Sequence, residues 1–238
     1  MNYAPGVNAL HGKSVEAPRH SAIVRITHWV MVLSVIGLFV SGTGILISHP
    51  RLYWGETGAV GAPSLVDLPL PFIIGPSVWN RPIHFYFAWM LVLTGLIYVA
   101  AGCLTPHFRK DLIPSKTELA WGRISGVFRD HLRWRLTDAD GSGAYNIVQR
   151  LTYLGVVFLL FPAIVWTGLA MSPALMSAFP FMVTVLGGHQ SARTLHFAFV
   201  TVLTLFFVVH IAMLFLVGFK SHVRAMITGS MPRNGGAQ

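Results

Sequence analysis

The chain has 238 residues, of which 54% are hydrophobic and only 11% are charged. An average soluble domain carries roughly 25% charged residues, so this composition excludes an ordinary soluble domain and indicates a protein that crosses a membrane several times. The formal net charge is +9. The single cysteine, Cys103, excludes an intramolecular disulfide, a multi-cysteine zinc site and an iron–sulfur cluster.

Charged residues divide the chain into four long apolar segments, and each can supply the about 20 residues that a helix needs to cross a bilayer. These segments predict transmembrane helices near residues 24–47, 82–104, 146–171 and 192–217. The stretch 173–188 is short and contains Pro180, so we expect an interfacial or re-entrant segment there and no fifth span. The predicted fold is an all-α membrane protein, a four-helix transmembrane bundle in which residues 1–238 form one domain.

Lysine and arginine are distributed unequally around the predicted spans. Fourteen of the 17 lie in the N-terminal segment, in the connection between the second and third spans, or after the fourth span. The positive-inside rule therefore places both termini and the long connection in the cytoplasm, and the expected location is a bacterial inner membrane. Within that connection, residues 119–136 put an apolar face opposite several arginines, which predicts an amphipathic helix on the lipid of the inner leaflet.

Four of the 11 histidines fall inside predicted spans, where an imidazole is costly unless it is engaged. His196 and His210 are fourteen residues apart on one helix, which places them on the same side and about 21 Å apart along its axis. His28 lies near the cytoplasmic end of the first span, at the level of His210. His84 opens the second span at the opposite side of the membrane, at the level of His196.

Two levels with two imidazoles each are the arrangement of two haems with bis-histidine axial ligands. The haems would be held without thioether bonds, because the chain has no C-x-x-C-H motif. Packing or hydrogen bonding is the alternative for any one of these histidines, but the matched depths favour the haem interpretation. One zinc ion could not reach both levels, and the chain has no H-E-x-x-H motif.

Arginines and small residues accompany these histidines. Arg25, Arg81 and Arg193 lie within one helical turn of three of them. A guanidinium group suits a haem propionate as a bidentate partner, and snorkelling to lipid phosphate is the alternative. Small residues on the first two spans would leave space for a cofactor or would allow close helix packing: Ser34, Gly37, Ser41, Gly42, Gly44, Ala88 and Gly95.

Five stretches of the sequence resemble the di-haem four-helix cytochromes b of the b561 family, bacterial and nickel-hydrogenase type. They are R-I-T-H-W (25–29), H-P-R-L-Y-W-G (49–55), R-P-I-H-F-Y-F-A-W (81–89), Y-N-I-V-Q-R (145–150) and G-G-H-Q-S-A-R-T-L-H-F (187–197). The likeness covers essentially residues 20–230, and the second and fifth stretches most resemble the thiosulfate-reductase-like branch. It implies that His28 and His210 bind the haem nearer the cytoplasm. His84 and His196 would then bind the haem nearer the periplasm.

The resemblance also implies a function. Members of the family carry electrons between the quinone pool and a periplasmic oxidoreductase subunit of the molybdopterin or hydrogenase type, and this branch favours the molybdopterin type. A quinone site is expected beside the inner haem, where Asn146 and Gln149 would contribute polar groups or would instead cap the third span. The outer-loop aromatics Tyr53, Trp54 and Trp79 would dock the partner or lie at headgroup level.

A stand-alone membrane oxidoreductase, linking quinone to a small diffusible redox substrate, is the alternative function. The resemblance favours a subunit over an independent enzyme, and no catalytic residue is assigned. Apart from the partner subunit, quinone and membrane lipid, no partner is implied, and in particular no nucleic acid.

Overall fold

The structure is a computed structural model that describes residues 21–58, 61–69, 78–105 and 147–229. Four of its helical stretches are long and apolar enough to cross a membrane, which confirms the predicted four-helix fold. These stretches are Ala22–Ser48, Asn80–Leu104, Arg150–Ala170 and His189–Leu216. The predicted amphipathic segment 119–136 lies outside the described residues.

The first two spans form a helical hairpin. Helix α1 (Ala22–Ser48) begins at Ser21, whose side chain accepts a hydrogen bond from the backbone N–H of Val24. Helix α2 (Asn80–Leu104) runs back along it. The ring of Phe87 lies directly against Gly37, so the absence of a side chain there lets the two helices approach closely.

The third span is not one regular α-helix. Helix α3 (Ile147–Gly155) continues through a π-helical turn, Val156–Leu160, into helix α4 (Phe161–Ala170). Pro162 lies in the first turn of α4, where its ring would clash with the carbonyl four residues earlier in a regular helix. A π-helical turn immediately before the proline accommodates it without ending the span.

Two short helices, α5 (Pro173–Ala178) and α6 (Phe181–Thr184), follow the third span. With six and four residues they are too short to cross a bilayer, in agreement with the interfacial segment expected at 173–188. The fourth span is helix α7 (His189–Val217). It packs against α4 around buried Ile164 and Leu203.

Helix α8 (Phe219–Thr228) turns away from α7 at Gly218, whose φ of 122° is a conformation that favours glycine. Its last turn is tied to the start of α1. Arg25 Nη1 donates to the carbonyl of Ile227 at 2.6 Å, and Trp29 Nε1 donates to the carbonyl of Met226 at 3.1 Å. The first and last described helices therefore meet at one end of the bundle.

At the opposite end, a short antiparallel pair of strands follows α1. Strand β1 (Arg51–Leu52) pairs with β2 (Val66–Asp67). Gly55 follows β1 after two residues. The carbonyl of Gly55 accepts from the backbone N–H of Gln190 at 2.9 Å, and its N–H donates to Ser191 Oγ at 2.8 Å. This stretch of the loop is thereby fixed on the first turn of α7.

Candidate cofactor site

The four spans form two hairpins. Helix α1 packs along α2, and α4 packs along α7. Among the described residues, helix contacts between the two pairs are sparse. A bundle of bare helices normally fills its interior with side chains along its whole length. Sparse contacts between the two pairs are what a cofactor held between them would require.

His84 and His196 meet between the two hairpins, at the end of the bundle that carries the β-strands. His84 lies in the first turns of α2 and His196 lies two turns into α7, so each hairpin contributes one ring. The ring centroids are 6.4 Å apart, and the ring planes are inclined by 71°. Both side chains are partly buried.

Each ring is held through its Nδ1 atom by a hydroxyl group of its own hairpin. Ser41 Oγ of α1 lies 3.1 Å from His84 Nδ1, and Thr167 Oγ1 of α4 lies 3.0 Å from His196 Nδ1. The carbonyl of Ile164 lies 3.2 Å from the same nitrogen of His196. The Nε2 atom of each ring takes no part in these bonds and is the nitrogen available to a metal.

The spacing of the two rings fits a metal held between them. Haem iron takes imidazole nitrogen as a ligand, and two rings this close on separate hairpins could hold one iron between them. An added Cβ at Gly42 would stand 3.3 Å from His84 Cε1, and one at Gly168 would stand 3.4 Å from His196 Cε1. These glycines leave room for the rings. The residues present therefore fit a b-type haem, whose iron His84 and His196 would hold.

A metal ion held by protein side chains alone fits the site less well. Within the described residues, no group of three or more histidine, cysteine, aspartate or glutamate side chains is close enough to bind one ion. Two imidazoles leave four positions of a six-coordinate iron to another ligand, which is what a porphyrin supplies.

The second pair of histidines, His28 and His210, lies toward the other end of the bundle. Helices α1 and α7 are tied together near both ends, through the loop at one end and through α8 at the other, so they run antiparallel. His28 packs edge-on against Trp29, with ring centroids 5.6 Å apart. His210 stacks on Phe206 at 5.7 Å. Each of these two histidines thus contacts an aromatic neighbour, and their pairing at one level stays a prediction.

Tyr153 of α3 also contacts His210, with ring centroids 6.3 Å apart and planes inclined by 71°. Sequence reasoning missed three residues that contact these histidines: Tyr153 at His210, and Thr167 and Gly168 at His196. The third span has no histidine, so nothing drew attention to it. The signal that was available is the Thr-Gly dipeptide at 167–168, which matches Ser-Gly at 41–42.

The three arginines have different surroundings. Arg193 Nη2 donates to the carbonyl of His49 and so helps to hold the loop that follows α1. Arg25 donates through Nη1 to Ile227, while its Nε is buried and has no hydrogen-bond partner among the described residues. Arg81 is exposed. An orphaned guanidinium nitrogen suits an anionic group, and the propionate role of these arginines remains a prediction.

The predicted quinone residues are not placed by the structure. Asn146 lies outside the described residues, and for Gln149 only the backbone, in the first turn of α3, is described. Of the small residues, Gly37 and Gly44 lie against the side chains of Phe87 and Asn80, so they serve helix packing.

Four helices that can span a membrane and a pair of facing histidines place the chain in the class of membrane haem proteins. The sequence profile of the prokaryotic cytochrome b561 family matches residues 19–229, and the chain belongs to that family. It is therefore a membrane cytochrome that binds b-type haem.

A protein of Azospira oryzae named "Putative protein-methionine-sulfoxide reductase subunit YedZ1" is 30% identical over 198 residues. The match covers 83% of this chain and 90% of that protein. No solved structure matches the chain.

Proposed function

We propose that the protein is a di-haem electron-transfer subunit that carries electrons between a periplasmic oxidoreductase partner and the quinone pool. Its setting is the bacterial inner membrane, with both termini in the cytoplasm and residues 1–238 forming one membrane domain. The observation that carries the proposal is the approach of His84 and His196, whose rings lie 6.4 Å apart although they belong to hairpins that otherwise make few contacts.

Haem supplies a one-electron carrier when it is bound. The chain's part is to hold two such groups at two depths. His84 and His196 hold the outer one, and His28 and His210 hold the inner one. The fourteen residues between the two histidines of α7 separate the levels by about 21 Å, so the pair of sites spans most of the hydrocarbon thickness of about 30 Å.

The surroundings of each level support this assignment. The outer rings are fixed by hydroxyl groups through Nδ1, which leaves Nε2 for the iron. At the inner level, Phe206 and Tyr153 surround His210 with aromatic surface. The buried, unpartnered Nε of Arg25 lies one helical turn from His28 and suits a propionate. Arg81 and Arg193 are assigned the same role at the outer level.

A partner subunit is supported by the relative from Azospira oryzae, whose name describes it as a subunit of a reductase. We propose that the partner of this chain is likewise a catalytic oxidoreductase, with a molybdopterin enzyme favoured by the resemblance. It would dock at the end of the bundle where the loop is fixed on α7 and where Trp54 is exposed. Quinone would react at the opposite end, beside the inner level, with Asn146 and Gln149 as its polar contacts.

Haem stoichiometry in single-histidine variants tests this proposal. The purified protein is expected to contain two haems per chain by the pyridine haemochrome assay. His196→Ala should remove only the outer haem, and His210→Ala should remove only the inner one. His222→Ala is the matched control, because this partly buried histidine of α8 bonds the Gly218 carbonyl of its own helix at 2.9 Å and belongs to neither pair.

Three results would contradict the proposal. One is the absence of a reducible Soret and α-band signal in the wild-type protein. Another is the loss of both haems from either single variant that still elutes as a folded protein. The third is turnover of a small diffusible substrate by the isolated chain, which would support the stand-alone oxidoreductase. The proposal instead expects that a second subunit is retained in mild detergent.

A further inference from the structure

The two histidines of the outer level are held by the same device in both hairpins. On α1, Ser41 is followed by Gly42, and on α4, Thr167 is followed by Gly168. In each case the hydroxyl group contacts Nδ1 of the facing histidine, at 3.1 Å and 3.0 Å. In each case an added Cβ on the glycine would stand 3.3 or 3.4 Å from Cε1 of the same ring. The same hydroxyl–glycine pair thus occurs once in each hairpin.

The hydroxyl groups can serve only as acceptors toward the rings. Ser41 Oγ donates its one proton to the carbonyl of Gly37 at 2.7 Å, a shorter contact than the one to His84. Thr167 Oγ1 donates to the carbonyl of Ala163 at 2.8 Å. A hydroxyl whose proton is engaged can accept a hydrogen bond but cannot donate a second one.

The carbonyl of Ile164 gives independent support for this direction. It lies 3.2 Å from His196 Nδ1, and a carbonyl oxygen only accepts, so the proton must be on Nδ1. For His84 the direction rests on Ser41, whose proton is engaged by the Gly37 carbonyl. Both imidazoles are therefore fixed as the Nδ1–H tautomer, with the lone pair on Nε2.

Both hydroxyl groups are buried, with Ser41 3% exposed and Thr167 1% exposed. Water therefore cannot replace either acceptor without a rearrangement of the helix pair. The glycine that follows fixes the tilt of the ring, because a side chain there would press on Cε1. The hydroxyl sets the tautomer and the glycine sets the ring plane.

We propose that the hydroxyl–glycine pairs Ser41–Gly42 and Thr167–Gly168 position the two axial histidines of the outer haem and lower its reduction potential. The proposal rests on the proposed function, since it assumes that His84 and His196 bind iron. An acceptor at Nδ1–H makes the imidazole a stronger electron donor through Nε2, which favours the oxidised iron. Ser41 and Thr167 are positioning residues that act through the histidines and do not touch the haem.

Removing a hydroxyl group is expected to shift the outer haem toward its reduced form. Thr167→Val keeps the shape of the side chain and removes the acceptor, and Ser41→Ala removes the other one. At a fixed ambient potential near the midpoint, each change should raise the ratio of reduced to oxidised outer haem about threefold, because a hydrogen bond that favours the oxidised form is lost. The inner haem should not respond, and the haem content should stay at two per chain.

Two kinds of control separate this effect from a general loss of structure. Thr167→Ser keeps the hydroxyl group and should keep the wild-type potential. Ser34→Ala removes a hydroxyl that is 0% exposed and bonds the carbonyl of Val30 at 2.8 Å on the same face of α1. Thr94→Ala removes a buried hydroxyl of α2 that bonds the carbonyl of Met90 at 2.7 Å. The hydroxyl groups of Ser34 and Thr94 bond backbone carbonyls of their own helices, and not His84 or His196.

The readouts are a spectroscopic redox titration and the low-temperature electron paramagnetic resonance spectrum of the oxidised protein. Gly42→Ala supplies a second test, because it leaves the acceptor in place and turns the ring of His84, so it should change the spread of g-values of the outer haem. The inference is refuted if Ser41→Ala and Thr167→Val titrate like Ser34→Ala and Thr94→Ala. A wild-type protein without haem would refute the proposed function itself, and a two-haem protein insensitive to these hydroxyl groups would refute only this inference.

Discussion

Replacing Gly188 with alanine should release the loop that follows α1 from the start of α7. Gly188 has φ of 114° and ψ of 171°, a region that is open essentially to glycine alone. An added Cβ would also stand 2.5 Å from the carbonyl carbon of Gly55 and 2.7 Å from the backbone nitrogen of Glu56. Backbone atoms cannot move aside as the end of a side chain can, so the loop must shift.

The magnitude follows from two contributions. Backbone strain at such a φ costs about 1 to 3 kcal/mol. Displacing the loop also breaks the bonds of Gly55 to Gln190 and Ser191, each of which contributes about 1 kcal/mol. We therefore expect Gly188→Ala to lower the free energy of unfolding by about 4 kcal/mol, since two or more hydrogen bonds add to the strain.

Gly61→Ala is the matched control. Gly61 also has a positive φ, 90°, but nothing lies within 4 Å of an added Cβ, so this variant carries strain without a collision. It should lose about 1 to 3 kcal/mol. Thermal unfolding of the detergent-solubilised protein gives the comparison, and limited proteolysis of the stretch 49–67 reports release of the loop. The reasoning fails if Gly188→Ala is as stable as Gly61→Ala or if its loop stays protected.

Three further substitutions test how the helices are held together. Gly37→Ala drives a methyl group into the ring of Phe87 and should destabilise the α1–α2 hairpin by about 1 to 3 kcal/mol. Gly95→Ala, whose added Cβ has its nearest neighbour at 4.0 Å, should stabilise the hairpin by up to about 1 kcal/mol. Equal melting temperatures for the two glycine variants would contradict the packing described. Arg25→Gln removes the charged donor to the Ile227 carbonyl, worth about 1 kcal/mol at a helix C-terminus. Amide exchange in α8 should then be about fivefold faster, and unchanged exchange would show that this bond does not hold the helix.

The number and the position of the spans could be predicted from the sequence. The reason is that lipid offers no hydrogen-bond partner to the backbone, so a charge-free apolar run of sufficient length must become a helix. The predicted span near 82–104 corresponds to α2 at Asn80–Leu104, and the one near 192–217 corresponds to α7 at His189–Val217. The π-helical turn in the third span was not predicted, although Pro162 was a local signal for it.

The sequence also indicated that His28, His84, His196 and His210 lie in long apolar helices, because that follows from their position in the apolar runs. It could not determine which neighbours they have. Ser41 and His84 are 43 residues apart, and Thr167 and His196 are 29 residues apart. Such pairs depend on how each helix is rotated about its axis, and an almost uniformly apolar helix carries no periodicity that fixes its rotation.

The loop that follows α1 likewise has features that the sequence shows and contacts that only the tertiary structure shows. Its glycines and its H-P-R-L-Y-W-G stretch are visible in the sequence, but the bond between Gly55 and Ser191 joins residues that are 136 positions apart. The helical hairpins must first pack before the end of α1 and the start of α7 come within reach of each other. Only the tertiary structure could show that Arg193 holds the loop through the carbonyl of His49, because local sequence does not specify which carbonyl a guanidinium reaches 144 residues away.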